Sequence, residues 1–273
     1  MQIFNRLFWC ALLVGLCGGL VHSAVQHAQV LPLIAAAEVF EAAAESPPHE
    51  HEHEHATGAH EAHEHEEHHD HGDAWAPADG LERNAFTVLA NVLAGTGYAL
   101  VLLPLMALWD RRRGGRAASA RSGALWGVAG WFCLFAWPAI GLPPELPGTA
   151  AADLHARQAW WLLAVLCAVA AIGLAALGGR RLGHARWLGL ALLALPFAIG
   201  APQVSGSLYP GQPADAAAQL QALNDRFVLA TALATALYWL VLGTVAGMVT
   251  ARWLRPLLAA GDAAAPSPRL TTP

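Results

Sequence analysis

The chain has 273 residues, 56% of them hydrophobic and only 13% charged, with a formal net charge of −5. That is too little polar surface to coat a soluble globule of this length, and the apolar residues fall in long blocks, so composition points to an all-α polytopic membrane protein. The cations are fifteen arginines with no lysine, and no basic groove with interleaved aromatics occurs, which argues against a nucleic-acid partner.

A spanning helix needs about 20 predominantly apolar residues. Six blocks meet or approach that length: Leu7 to Leu33, Ala85 to Leu108, Ala124 to Leu142, Trp160 to Leu177, Trp187 to Val204 and Phe227 to Val249. The first carries polar residues. His22 and Gln26 are four residues apart and Gln29 is three further on, which predicts one shared helical face with His27 beside it. Polar and ionisable groups inside a span are costly and face a bundle interior or a water-filled path, so His22, Gln26 and His27 are candidates for an ion path. A neutral histidine satisfied by an interhelical hydrogen bond is the alternative. Glu38, Glu41 and Glu45 continue the same helix outward. Arg6, the run Leu7 to Val21 and the small Ser23 and Ala24 also fit a secretory signal peptide, whose cleavage would leave five spans.

Between the first two blocks lies the most unusual stretch. Residues 49–71 hold ten of the fourteen histidines and eight acids, with no arginine among them. The histidines are His49, His51, His53, His55, His60, His63, His65, His68, His69 and His71. Neutral imidazole is the commonest side-chain metal ligand, so this low-complexity loop predicts divalent-metal capture through interchangeable sets of histidines, with glutamates drawing the cation in. A solvated spacer with incidental metal affinity is the plainer reading.

Orientation follows from the arginines. With the N-terminus cytoplasmic, twelve arginines fall on the cytoplasmic side and three, Arg83, Arg157 and Arg226, on the other. The positive-inside rule then places both termini in the cytoplasm and the histidine-rich loop outside. Trp109, Trp126, Trp187 and Trp253 near the arginine-bearing ends, and Trp160 with Trp161 near an outer end, are expected at the headgroup level. Pro104, Pro138 and Pro196 are expected to kink their spans. Gly15-x-x-x-Gly19, Gly123-x-x-x-Gly127 and Gly243-x-x-x-Gly247 predict close helix packing within the chain.

Outside the membrane, residues 143–148 form a turn-rich segment and Asp153 is placed to cap the following helix. Residues 201–212 read as irregular, and residues 214–223 as a short interfacial helix. Glu38, Glu82, Glu145 and Asp153, near outer helix ends, join the candidate ion path, each also readable as a solvated or capping group. Asn91, Thr87, Thr96, Thr231 and Thr235 read as interhelical hydrogen-bond donors. Cys10, Cys17, Cys133 and Cys167 lie in apolar blocks without Cys-x-x-Cys spacing and read as small core residues.

The expected organisation is residues 1–44 as a first transmembrane helix with its outer extension, 45–84 as a His/Glu-rich periplasmic loop, 85–258 as a five-helix transmembrane region and 259–273 as a disordered cytoplasmic tail. Two internal methionines, Met106 and Met248, make a poor path for soft Cu(I), and a histidine-rich entrance does not suit Mg²⁺ or Ca²⁺. Co²⁺, Ni²⁺ and Zn²⁺ remain. No phosphate-binding Gly-x-x-x-x-Gly-Lys-[Ser/Thr] loop is present, and no nucleophile–base pair occurs at useful spacing, so neither a nucleotide site nor an enzyme is expected.

Several segments resemble the CbtA family of probable cobalt transporter subunits: Gly19-Leu20-Val21-His22 leading to Leu33-Ile34 and Glu38-Val39-Phe40-Glu41, the loop closing on Asp79-Gly80-Leu81-Glu82-Arg83, Leu142-Pro143-Pro144-Glu145-Leu146-Pro147-Gly148, Ala152-Asp153-Leu154, Ala156-Arg157-Gln158-Ala159-Trp160-Trp161, and Leu195-Pro196 with Ile199-Gly200-Ala201-Pro202. The resemblance implies an inner-membrane protein of cobalt supply for cobalamin, with Co²⁺ favoured over Ni²⁺ and Zn²⁺ as cargo and no permanently bound cofactor. It also implies a small single-span, histidine-containing companion (CbtB-like). Where the family pattern carries a second histidine after the Leu-Pro of the fifth span, this chain has Phe197.

Overall fold

The computed structural model describes residues 2–45, 77–78, 80–178, 183 and 185–264. The ten loop histidines, and residues 265–273 of the expected tail, lie outside the described residues. Among those described, every regular element is helical.

The first helix is one long rod in three pieces: α1 (Gln2–Val25), a π turn (Gln26–Val30) and α2 (Leu31–Glu45). At about 1.5 Å per residue it is roughly 66 Å long, twice a hydrocarbon core of about 30 Å, so it is longer than a bilayer crossing needs. Then come α3 (Leu81–Arg112), α4 (Ala120–Trp131), a second π turn (Phe132–Ala136) and a short α5 (Trp137–Ala139). They are followed by α6 (Leu154–Gly178), α7 (Ala185–Ile199), α8 (Ala214–Val249), a third π turn (Thr250–Leu254) and α9 (Arg255–Ala264).

Among the described residues four helices are long and apolar enough to cross a membrane: Phe4–Glu41, Leu81–Arg112, Leu154–Leu177 and Ala214–Ala259. The third and fifth apolar blocks become shorter helices, residues 120–139 and Trp187–Ile199. The separate interfacial helix expected at residues 214–223 does not form; those residues are the first turns of the unbroken α8, because no glycine or proline interrupts them and the apolar stripe continues into the span.

α8 is the centre of the assembly and packs on α1, α2, α3 and α4, while α6 and α7 pair with each other. Small residues make this possible. A Cβ on Gly243 would fall 2.6 Å from the Gly127 Cα, and one on Gly123 would fall 2.8 Å from the Gly247 Cα. The two Gly-x-x-x-Gly faces of α4 and α8 therefore meet backbone to backbone. Gly19 brings α1 equally close to Val92 of α3, at 2.6 Å from a built Cβ to its Cα.

Towards the arginine-bearing end the core is dry, with Cys10, Val14, Leu103, Met106, Leu242 and Ala246 buried together. Cys133 and Cys167 are also buried, and all four cysteines are free, as small core residues should be. At the opposite end α2, the start of α8 and the two loops between helices form a cap. Leu146, Tyr209, Leu220 and Phe227 pack with Val30 and Ala37. The loops are tied by Ala150 N–H to the Leu208 carbonyl at 2.9 Å, and Gln212 Nε2 donates to the Phe40 carbonyl at 3.0 Å. Burial first, then the nearby Asp225 carboxylate, pushes the Tyr209 hydroxyl above its ordinary range.

Trp160 corrects the expected outer tryptophan pair. Trp161 is exposed, but Trp160 is buried and its Nε1 donates to the Pro196 carbonyl at 3.0 Å. It links α6 to α7 instead of reaching lipid headgroups.

Candidate functional site

The glycines of α1 decide where its polar residues go. Gly15 and Gly19 admit α3, while Gly18 faces Tyr238 and Leu242 of α8 at 3.4 Å from a built Cβ. One turn further on, His22 and Ser23 are thereby enclosed between α1, α3 and α8, each with only 8% of its surface accessible. The His22 ring lies 4.7 Å from the Tyr238 ring.

Above His22 a polar layer joins α1 to α3. Asn91 Nδ2 donates to Ser23 Oγ at 2.9 Å and to Gln26 Oε1 at 2.6 Å, and Ser23 Oγ donates to the Gly19 carbonyl at 2.8 Å. Two buried atoms beside this layer have no hydrogen-bond partner among the described residues: His22 Nδ1 and the Tyr238 hydroxyl. Each such orphan costs about 1–3 kcal/mol in desolvation. The two belong to rings 4.7 Å apart, so the seam holds two neighbouring polar atoms whose hydrogen-bonding capacity is unspent.

The π turn that begins at Gln26 changes the expected face. The Leu31 amide bonds the Gln26 carbonyl, five residues back, so one additional residue is accommodated and everything beyond rotates by about 100°. Gln26 stays half-buried on Asn91, but His27 and Gln29 are exposed. Of the first-span candidates, His22 and Gln26 reach the interhelical layer and His27 does not.

Among the acids, each described candidate has other surroundings. Glu38 pairs with Arg83 at 3.5 Å, and Glu145 with Arg157 at 2.6 Å. Asp153 Oδ1 accepts the Ala156 amide at 2.9 Å, capping α6 as its position predicts. Glu82 is exposed in the first turn of α3. Glu38 is sixteen residues from His22, about 24 Å along the helix, whereas metal–ligand bonds are about 2.0–2.3 Å. The two cannot share a coordination shell. Among the described residues no group of three or more His, Cys, Asp and Glu could hold a metal ion.

Glu145 nonetheless occupies a distinctive place. It borders a cavity of about 570 Å³ lined by Leu134, Phe135, Trp161 and Thr231, and a second of about 380 Å³ lined by Gln203, Tyr209 and Asn224. Phe197, where the family resemblance led to a histidine, packs edge-on against Trp137 at 5.1 Å and Trp160 at 5.6 Å. An imidazole there would meet two indoles.

The threonines divide. Thr235 Oγ1 accepts from Trp131 Nε1 of α4 at 3.2 Å. Thr87 and Thr96 instead bond carbonyls four residues back in their own helix, at 2.8 Å each, which corrects the interhelical role read for them; Thr231 Oγ1 has no partner.

Sequence reasoning missed Tyr238 and the network around Asp110. Asp110 is buried at 3% exposure. Its Oδ1 accepts from the amides of Ala117 and Ala118 at 2.8 and 2.7 Å and from Arg255 Nη2 at 3.0 Å, while Oδ2 accepts from Arg255 Nε at 2.8 Å. Arg255 Nη2 also reaches the Ala118 carbonyl at 2.8 Å. The end of α3, the α3–α4 connection and α9 are thus held at one point.

A family model described as "Probable cobalt transporter subunit (CbtA)" matches residues 4–251 of the chain. No curated protein and no solved structure matches.

Proposed function

The chain belongs to the CbtA family of probable cobalt transporter subunits, and from that premise we propose that it forms the membrane path of a Co²⁺ uptake system in a bacterial inner membrane. In this reading all six apolar blocks cross the bilayer with both termini cytoplasmic. The loop of residues 49–71 hangs on the outer side and gathers scarce cations. His22 Nδ1 and Gln26 accept the dehydrating ion at the outer mouth of the α1–α3–α8 seam, with Tyr238 below them, and Glu145 and Asp153 belong to the outer vestibule. Co²⁺ is favoured over Ni²⁺ and Zn²⁺ as cargo, and a single-span, histidine-bearing companion (CbtB-like) completes the assembly.

The observation that carries this reading is the buried His22 nitrogen left without a partner inside a membrane helix bundle. A metal-binding or sensing role without transport is the second reading, favoured by the dry core of Val14, Leu103, Met106 and Leu242 beneath His22. Cobalt accumulation in cells expressing the intact chain, a chain lacking residues 49–71 and a His22→Ala chain separates them. Loss of the loop should matter chiefly when metal is scarce, whereas His22→Ala should lower uptake at every concentration. Unchanged uptake in His22→Ala removes that residue from the path, and no uptake by the intact chain with its partner supports the second reading.

A further inference from the structure

Two adjoining clefts open at the arginine-bearing end, where α1, α3 and α9 converge. One, of about 250 Å³, is walled by Leu7, Pro104, Leu108, Leu254 and Leu257 and ends on Arg111. The other, of about 240 Å³, begins at Arg111 and is walled by Arg255, Gly114 and Gly115. Ala107, Arg111 and Leu258 belong to both, so a greasy slot passes directly into a cationic one. We propose that this composite cleft binds one anionic phospholipid, its acyl chain between Leu7, Leu108 and Leu257 and its phosphodiester at Arg111 and Arg255.

Charge and depth both favour that occupant. Asp110, the acid lining the charged cleft, accepts two amide hydrogens and two from Arg255, so that pair is neutral and the excess positive charge of this end comes from the arginine run of residues 111–116. Arg255 spends Nε and Nη2 on Asp110 and Ala118, leaving the Nη1 hydrogens for an oxyanion. Arg112, Arg113 and Arg116 follow on the same connection, and basic pockets between membrane helices are suited to anionic headgroups. The level is that of the headgroups as well: Trp109 and Trp126 meet edge to face with ring centroids 6.5 Å apart, the Arg113 guanidinium lies 4.6 Å over the Trp109 ring, and Trp253 is exposed nearby. A bound lipid would brace α9 against α3 beside the third π turn, where the wholly buried Thr250 hydroxyl has no partner among the described residues.

The test uses the full chain, purified in a neutral detergent and examined by native mass spectrometry with added phosphatidylglycerol, phosphatidylcholine or inorganic phosphate. Phosphatidylglycerol should remain bound where phosphatidylcholine and phosphate do not. Arg111→Gln should weaken retention about fivefold, the weight of one arginine near a headgroup. Leu108→Trp, which fills the greasy slot without altering charge, should weaken it too, and Arg121→Gln on the neighbouring α4 should not. Equal retention of the two lipids, displacement of phosphatidylglycerol by phosphate alone, or wild-type retention in both Arg111→Gln and Leu108→Trp would overturn the proposal.

Discussion

Replacing Asp110 by asparagine probes the contact that gathers the arginine-bearing end. The carboxylate accepts four hydrogen bonds of 2.7–3.0 Å. An asparagine of the same shape keeps its oxygen for the two amides and Arg255 Nη2, but points an NH₂ group at Arg255 Nε. One charge-assisted bond is lost outright, worth about 1.5–3 kcal/mol, and the others fall towards the roughly 0.5–1.5 kcal/mol of neutral bonds. The full cost of breaking a buried pair is about 3–5 kcal/mol, and since the Arg255 side chain is 32% exposed, water recovers part of it. The expected loss is therefore about 3 kcal/mol. Equilibrium unfolding in mixed micelles, followed by tryptophan fluorescence, measures it. Adding Arg255→Gln to Asp110→Asn should cost much less than the sum of the single changes, because both remove the same interaction. A single-variant loss within about 0.5 kcal/mol of zero, the range of an unremarkable surface change, refutes the reasoning.

Gly243→Val places methyl groups where α4 backbone already lies and should destabilise the fold by about 3 kcal/mol or more, while Gly97→Ala, whose Cβ meets nothing within 4 Å, should stabilise it by about 0.5–1 kcal/mol; unfolding of both variants in the same micelles checks the pair. Asn91→Leu removes the bonds to Ser23 and Gln26 and should cost about 1 kcal/mol, with a fall in cobalt uptake larger than that of a stability-matched variant elsewhere; equal uptake in the two would detach the polar layer from the ion path. Metal affinity of the full chain, measured calorimetrically against the version lacking residues 49–71, should be highest above about pH 6.5 and drop as the imidazoles protonate below it. A loop contribution unchanged at pH 5.5 would assign the binding to carboxylates instead.

Much of the helical layout was legible because it rests on short-range patterns. Apolar runs located the helices, the three small-residue spacings correctly anticipated packing within the chain, and Asp153 caps α6 as its position implied. What escaped depends on contacts between distant residues or on local register. Nothing in the run from Gln26 to Val30 announces a π turn, yet that insertion is what moves Gln29 off the face of His22, whereas His27, five residues on, already lies about 140° round the helix from His22. Trp160 and Trp161 are indistinguishable by type, and it takes the bond to Pro196, 36 residues away, and the packing on Phe197 to draw the first inward. Asp110 reads as one more charge beside a row of arginines until α9 brings Arg255 across 145 residues to meet it. Tyr238 carries no signal beyond being a tyrosine in an apolar helix. Its significance comes from the histidine on another helix.

The glycine crossing of α4 and α8 has a mechanical corollary. Where main chain rests on main chain there is no side chain to yield, so the separation of α4 and α8 at that crossing is set by the backbone itself. The crossing is off-centre: Leu220 in the cap lies 23 residues from Gly243, about 35 Å, while Arg255 lies 8 residues beyond Gly247, about 12 Å. The backbone contact therefore fixes the spacing of α8 near its arginine-bearing end and leaves the spacing of the long arm to the side chains packed in the cap.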